Sequence, residues 1–205
     1  MGDARNRHAQ RKAATHQGLI DAARAVIVEK GYSNVEILDI TERANFSKAT
    51  FYKHFPNKED CVRELMEQGF DALAAEALGE MQDMPDVGEW IVHSLTSVFN
   101  WADANREFML IMVGGAASTR LNAFGRNYMV QVVERAIFTK FSHVPRRFPS
   151  KPAAQAITGM VIQMLGWWLE QDTGYTAQEM AQMLYTIISR GMGPLTVEEA
   201  MADDL

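Results

Sequence analysis

Apolar residues recur at three- and four-residue spacing along most of this chain, and convincing period-two alternation is absent. Leu19, Ile20, Ala23, Val26 and Ile27 form one stripe, predicting a helix over about residues 13–30 that stops at Gly31. Shorter helices follow at about 36–43 and 47–53. Asn57 with Asp60 three residues later resembles a capping box and opens a long helix through about Glu80. Met84-Pro85-Asp86-Val87-Gly88-Glu89 reads as a loop, with Asp86 and Glu89 capping the next helix. Helices are predicted at about 87–103, 105–113 and 119–141, broken by Gly114-Gly115 and ended by the run from Val144 to Pro149. Two more span about 150–171 and 176–190, with Ser150 and Thr176 as N-caps, Thr176 pairing with Glu179. Gly191 and Gly193-Pro194 end the last, leaving a short turn from Thr196 to Met201. The pattern predicts an all-α chain of about nine helices: a three-helix head, a connecting fourth helix and a five-helix body.

The segment from Asp39 to Lys58, DITERANFSKATFYKHFPNK, departs from a plain helical hairpin. Ile40, Ala44, Phe46, Phe51 and Phe55 supply an inward-facing set on either side of a turn. Asn45 tolerates the left-handed conformation that breaks the first helix, and Ser47 can cap the second. The outward positions of that second helix hold Lys48, Thr50, Tyr52, Lys53 and His54, side chains that bond phosphates and base edges. Packing alone does not call for such a set. Plainer roles stand beside it: Tyr52 and His54 as caps of the local core, Lys53 as a solvated charge.

Charge sharpens this picture. The net charge is −6, yet residues 1–60 carry a balance of +2 and residues 61–205 a balance of −8. Arg5, Arg7, Arg11 and Lys12 face only Asp3 within the first 12 residues, making a basic arm that either stays solvated or contacts DNA. An acidic body would turn nucleic acid away from every face but the head. No apolar run approaches the roughly 18 residues of a membrane-spanning helix, and the N-terminus lacks a secretory h-region. The single cysteine, Cys61, forms no internal disulfide; a reducing, cytoplasmic setting is expected.

The run SKATFYKHFPNKEDCV, preceded by GYSNVEILDITERANF, resembles the N-terminal domain of the TetR/AcrR family of transcriptional regulators. Gly31-Tyr32, Ile40-Thr41-Glu42-Arg43-Ala44, Ser47-x-x-Thr50-x-Tyr52-x-His54-Phe55 and Asn57-Lys58-Glu59 carry the likeness, over roughly residues 15 to 70. It implies a DNA-binding domain at 1–57, arm included, and a ligand-binding and dimerisation domain at 58–205. The DNA-binding set becomes Ser47, Lys48, Thr50, Tyr52, Lys53, His54 and Lys58, with Lys48 reading a base and Lys58 meeting a phosphate at the start of the fourth helix. One departure stands out. The second helix begins Val35-Glu36-Ile37-Leu38, where the family usually offers hydroxyls and a basic residue.

The body is rich in methionine and aromatic residues, which suit either an ordinary core or an adaptable hydrophobic pocket. The resemblance favours a pocket for a small effector, and His93, Trp101, Phe108, Met109, Met112, Tyr128, Met164 and Trp167 are its candidate lining. It also implies that the last two helices pair with those of a second subunit, with Gly159, Gly166, Trp168, Met180 and Leu184 at the interface. Adjacent Trp167 and Trp168 point about 100° apart, so both cannot face one core. The expected partners are a palindromic double-stranded operator, a second copy and a largely hydrophobic effector, with repression relieved by that effector and no membrane involved. No enzyme is expected: the chain lacks a Gly-rich phosphate loop, an HExxH or CxxC pattern and a nucleophile elbow, and it calls for no cofactor or metal. A helical module that binds a partner protein through its acidic body, and an architectural DNA binder, are the other readings.

Overall fold

The computed structural model describes residues 2–79, 86–113, 118–140 and 149–190, and side chains within 6–77, 86–110, 118–136 and 149–190. Among these residues run nine α-helices and no strand: α1 (Gly2–Lys30), α2 (Ile37–Arg43), α3 (Lys48–His54), α4 (Lys58–Gly79), α5 (Val87–Ala104), α6 (Arg106–Val113), α7 (Thr119–Lys140), α8 (Ser150–Glu170) and α9 (Ala177–Arg190). A single 3₁₀ turn, Tyr32–Asn34, lies between α1 and α2. The all-α expectation holds. Helix α1 begins about eleven residues earlier than its apolar stripe suggests, because Ala, Arg, Lys and Gln favour helix and neither Gly nor Pro stands between Gly2 and Ala13. The basic arm is therefore helical, and every side chain from Asn6 to Ala14 is exposed. The expected loop residues Met84-Pro85, Gly114-Gly115 and 144–148, and the C-terminal Gly191, Gly193-Pro194 and 196–201, lie outside the described residues.

Local hydrogen bonds explain most helix starts. The Asp60 amide donates to Asn57 Oδ1 at 2.8 Å and Asn57 Nδ2 donates to Asp60 Oδ2 at 2.9 Å, opening α4. Asp86 Oδ1 accepts from the Glu89 amide at 2.8 Å ahead of α5. Thr176 and Glu179 form a reciprocal box, with Glu179 Oε2 accepting from the Thr176 amide and Thr176 Oγ1 from that of Glu179. Ser150 corrects the expectation: Pro149 is the N-cap of α8, and Ser150 Oγ instead donates to Glu134 Oε1 at 3.1 Å.

The described chain forms two compact units. One comprises residues 1–72 with 105–129, the other 73–104 with 130–205. In the first, Leu19, Ile20, Ala23, Val26 and Ile27 of α1 are all buried, together with Ile40, Phe51, Phe55, Val62 and Met66. Phe108 of α6 and Leu121 of α7 join that same core. Arg24 lies 5.5 Å from the Phe108 ring centroid and donates to Asn105 Oδ1, so α6 is fastened to α1. In the second unit, α5 packs chiefly along α9, and Phe99 meets Trp168 edge-on with centroids 5.3 Å apart. Met180, Ala181 and Leu184 of α9 are completely buried there. The division of contacts thus falls within α4, at 72/73, whereas the sequence reading divides the chain by role at 57/58. No described helix is long and apolar enough to cross a membrane.

Candidate nucleic-acid interface

The turn between α2 and α3 is built entirely by local bonds. Asn45 adopts φ 55°, the left-handed conformation that terminates a helix. The Phe46 amide then donates to the Thr41 carbonyl at 2.8 Å and the Asn45 amide to the Glu42 carbonyl at 3.1 Å, the paired bonds of a Schellman ending. Ser47 follows in extended geometry as N-cap, its Oγ accepting from the Thr50 amide at 3.1 Å. Ser47 Oγ and Thr50 Oγ1 lie 3.0 Å apart. Phe51 and Phe55 are buried beneath, and Thr41, also buried, donates from Oγ1 to the Leu38 carbonyl.

Geometry of this kind leaves α3 with one outward face. Lys48, Ala49, Tyr52 and Lys53 are exposed, Tyr52 to 57%. The Tyr52 ring stands edge-on to Phe51, so its hydroxyl projects from a fixed base. Thr50 and His54 are half-buried at the margins of that face. Glu36 and Leu38, at the start of α2, are exposed as well. Phe46 corrects the sequence reading: it is 36% exposed, with its ring edge against the α1 backbone near Gly18.

Lys58 is placed differently from the rest of the predicted set. Its Nζ donates to the Val35 carbonyl at 2.6 Å and the Tyr32 carbonyl at 3.0 Å, and lies 4.3 Å from the Tyr32 ring centroid. Burial lowers its pKa, with Glu36 and Asp39 pulling the other way. The ammonium thus ties α4 to the segment between α1 and α2, not to the outward face of α3. His54 makes a contact that sequence spacing conceals. Its Nδ1 sits 3.1 Å from Nδ1 of His16 on α1, and His16 Nε2 sits 2.7 Å from Glu64 Oε1 on α4. Separations of 38 and 48 residues left no sequence signal for this pairing.

The candidates for an effector pocket divide between the two units. Phe108, Met109 and Tyr128 belong to the first, where Phe108 and Met109 are buried and the Tyr128 hydroxyl donates to Asp71. His93, Trp101, Met164 and Trp167 belong to the second, and the Met112 side chain lies outside the described residues. A cleft of about 570 Å³ in the second unit takes in His93 but otherwise Asp86, Gly88, Glu89, Val92, Thr96, Gln178, Gln182 and Tyr185, none of them in the expected lining. The interface set also needs correction. Trp168, Met180 and Leu184 are buried within one chain, and Trp168 Nε1 donates to the Tyr175 carbonyl at 2.8 Å, so they supply core and not an outward surface. Trp167, assigned to the pocket, is 44% exposed. It shares a stripe of α8 with exposed Ala156, Gly159 and Gln163 and half-buried Met160 and Gly166. A methyl added at Gly159 would meet only open space.

Comparison with known proteins agrees with this architecture. Residues 19–65 match the family model of bacterial regulatory proteins of the tetR family, and residues 90–190 match that of a transcriptional regulator C-terminal region. The chain is 40% identical over 55 residues to the transposon Tn10 TetC protein of Escherichia coli, covering 27% of this chain and 28% of that one. It is 38% identical over 53 residues to IcaR, the negative transcriptional regulator of the biofilm operon icaADBC in Staphylococcus epidermidis, covering 26% and 29%. The match thus spans under a third of either relative's own length. The fold is similar to that of a TetR-family regulator from Syntrophomonas wolfei, with a TM-score of 0.74, 21% identity, and coverage of 90% of this chain and 98% of that one. It is also similar to FadR of Bacillus subtilis, crystallised with stearoyl-CoA, with a TM-score of 0.69, 17% identity, and coverage of 86% and 98%.

Proposed function

Because the chain belongs to the TetR family of bacterial transcriptional regulators, we propose that it is a cytoplasmic repressor that binds a palindromic operator as a homodimer and lets go on binding a small, largely hydrophobic effector. The observation that carries this reading is the outward face of α3, where Lys48, Tyr52 and Lys53 stand exposed on a helix fixed at its start by Ser47 and by the Asn45 turn. Seven residues give α3 two turns, enough for its first turn to meet base edges in the major groove. Lys48 lies there as a donor to guanine, Ser47 and Thr50 offer hydroxyls, and Tyr52 and Lys53 reach the backbone.

A palindrome requires two heads related by a twofold axis. The α8 stripe supports the dimer: exposed Gly159 and half-buried Gly166 permit close approach, and Trp167 supplies area that one chain leaves in water. The stearoyl-CoA bound by FadR of Bacillus subtilis, together with Trp101 and Met164 in the second unit, supports a hydrophobic effector. The repressive sign is supported by IcaR, a negative regulator. Release follows when effector binds one conformation of the dimer better than the conformation that grips DNA.

The test is a titration of labelled duplex DNA at several salt concentrations, comparing the wild type with Lys48→Ala combined with Tyr52→Phe. The double variant should bind more weakly, with a shallower dependence of log K on log salt. Equal affinity and equal slope would remove α3 from the interface.

A further inference from the structure

His54 is the last residue of α3, and three elements meet around its imidazole. Glu64 of α4 lies 2.7 Å from His16 Nε2, and His16 Nδ1 of α1 lies 3.1 Å from His54 Nδ1. The His16 ring is stacked on Phe55, with centroids 4.5 Å apart and planes 27° apart, which fixes its orientation. Chemistry then assigns the protons. An ionised carboxylate only accepts, so His16 Nε2 is the donor to Glu64. A neutral His16 therefore offers a lone pair at Nδ1, His54 donates from its own Nδ1, and His54 Nε2 keeps a lone pair.

The chain of bonds accepts one further proton without rearrangement. Placed on His54 Nε2, it makes the end of α3 cationic while both hydrogen bonds persist. A second proton, on His16, would set two N–H groups against each other across 3.1 Å and break the link. The titratable and charged groups around His54 are His16 and Lys12 from α1 and Lys53 from α3; Glu64, on α4, reaches it through His16. Two imidazoles do not complete a metal shell, and among the described residues no group of three or more His, Cys, Asp or Glu is arranged to hold a metal ion.

We propose that DNA binding by this head takes up one proton at His54, with His16 and Glu64 as the positioning residues that hold its imidazole at the edge of the α3 face. The inference rests on the reading that this face meets DNA. Burial is the main cause that keeps the His54 pKa below the ordinary histidine value, with His16, where protonated, and Lys12 and Lys53 acting in the same direction, so its neutral form is favoured in the absence of DNA. Phosphates brought against α3 oppose those positive charges and raise the pKa. The sign follows from linkage: affinity climbs as pH falls through the pKa of the DNA-bound protein and levels off below that of the DNA-free one. For one proton the climb is at most about tenfold per pH unit.

The experiment measures affinity for duplex DNA at constant ionic strength between about pH 5.5 and 8.5, the range in which unperturbed imidazoles titrate. The wild type should tighten toward low pH, and His54→Gln should lose most of that dependence. His16→Phe, which keeps an aromatic ring against Phe55 but breaks both bonds, should still bind with a reduced dependence. A flat wild-type profile, or a full profile in His54→Gln, overturns the proposal. Absence of DNA binding at every pH overturns instead the reading on which it stands. Proton NMR of the wild type supplies an independent readout, because the His54 Cε1–H midpoint must move upward when DNA is added, and an unmoved midpoint contradicts proton uptake.

Discussion

Lys58 shows how one residue type serves two ends that sequence cannot separate. Its place at the start of α4 suits a phosphate contact, but its Nζ is bonded to the Tyr32 and Val35 carbonyls and covered on one side by the Tyr32 ring. Lys58→Met should cost about 1–3 kcal/mol of stability, since it leaves two carbonyls short of a donor. Urea denaturation would measure this, while the salt slope of DNA binding should barely change. Cys61 is equally decided by its surroundings. It is fully buried on α4, and burial pushes its thiol up to about 12. The folded protein should resist iodoacetamide at neutral pH and react only on unfolding; rapid labelling of the native state would show the thiol to be accessible. The residue types at the head were legible because spacing, cap and turn chemistry agree. What Lys58 and His54 touch was not, since Tyr32, Val35 and His16 lie 23 to 38 residues away in sequence.

At the scale of elements, local chemistry decides where helices begin and end. Asn45, Ser47, Asn57, Asp86 and Thr176 each perform the role their residue type and spacing announce. Gly31 is a further case: with φ 75° and ψ 144° it sits where other residues are strained, yet an added methyl would touch nothing. Gly31→Ala should therefore destabilise by about 1–3 kcal/mol through the backbone alone, read from the denaturation midpoint. In α3, Lys48→Ala should relax preference at one operator position by about 1–3 kcal/mol, measured by competition among single-base variants. Periodicity misassigned Phe46 because it sits at the turn, where the helical phase that would point it inward is broken. It missed the first turns of α1 for the opposite reason, since an exposed helix need carry no apolar stripe.

For the whole molecule, the surface that one chain leaves uncovered matters most. The adjacent tryptophans do diverge as helical geometry requires, but Trp168 faces the core and Trp167 the outside. Sequence could establish the divergence; only the packing of Trp168 on Phe99 settles its direction. The same limit applied to Met180 and Leu184, whose burial within one chain depends on the packing of α9 along α5. If the proposed dimer forms through α8, Trp167→Glu should give a monomer in sedimentation and weaken operator binding by removing the second head. An unchanged sedimentation coefficient would take α8 out of the interface. The most direct test of a dimeric, sequence-specific regulator is selection of bound fragments from random DNA by the purified protein at about 150 mM salt, where nonspecific phosphate binding is already weak. A single motif with twofold symmetry, its half-sites one helical turn or a multiple apart, is the predicted result. Fragments with no shared motif, or one asymmetric half-site, would contradict it.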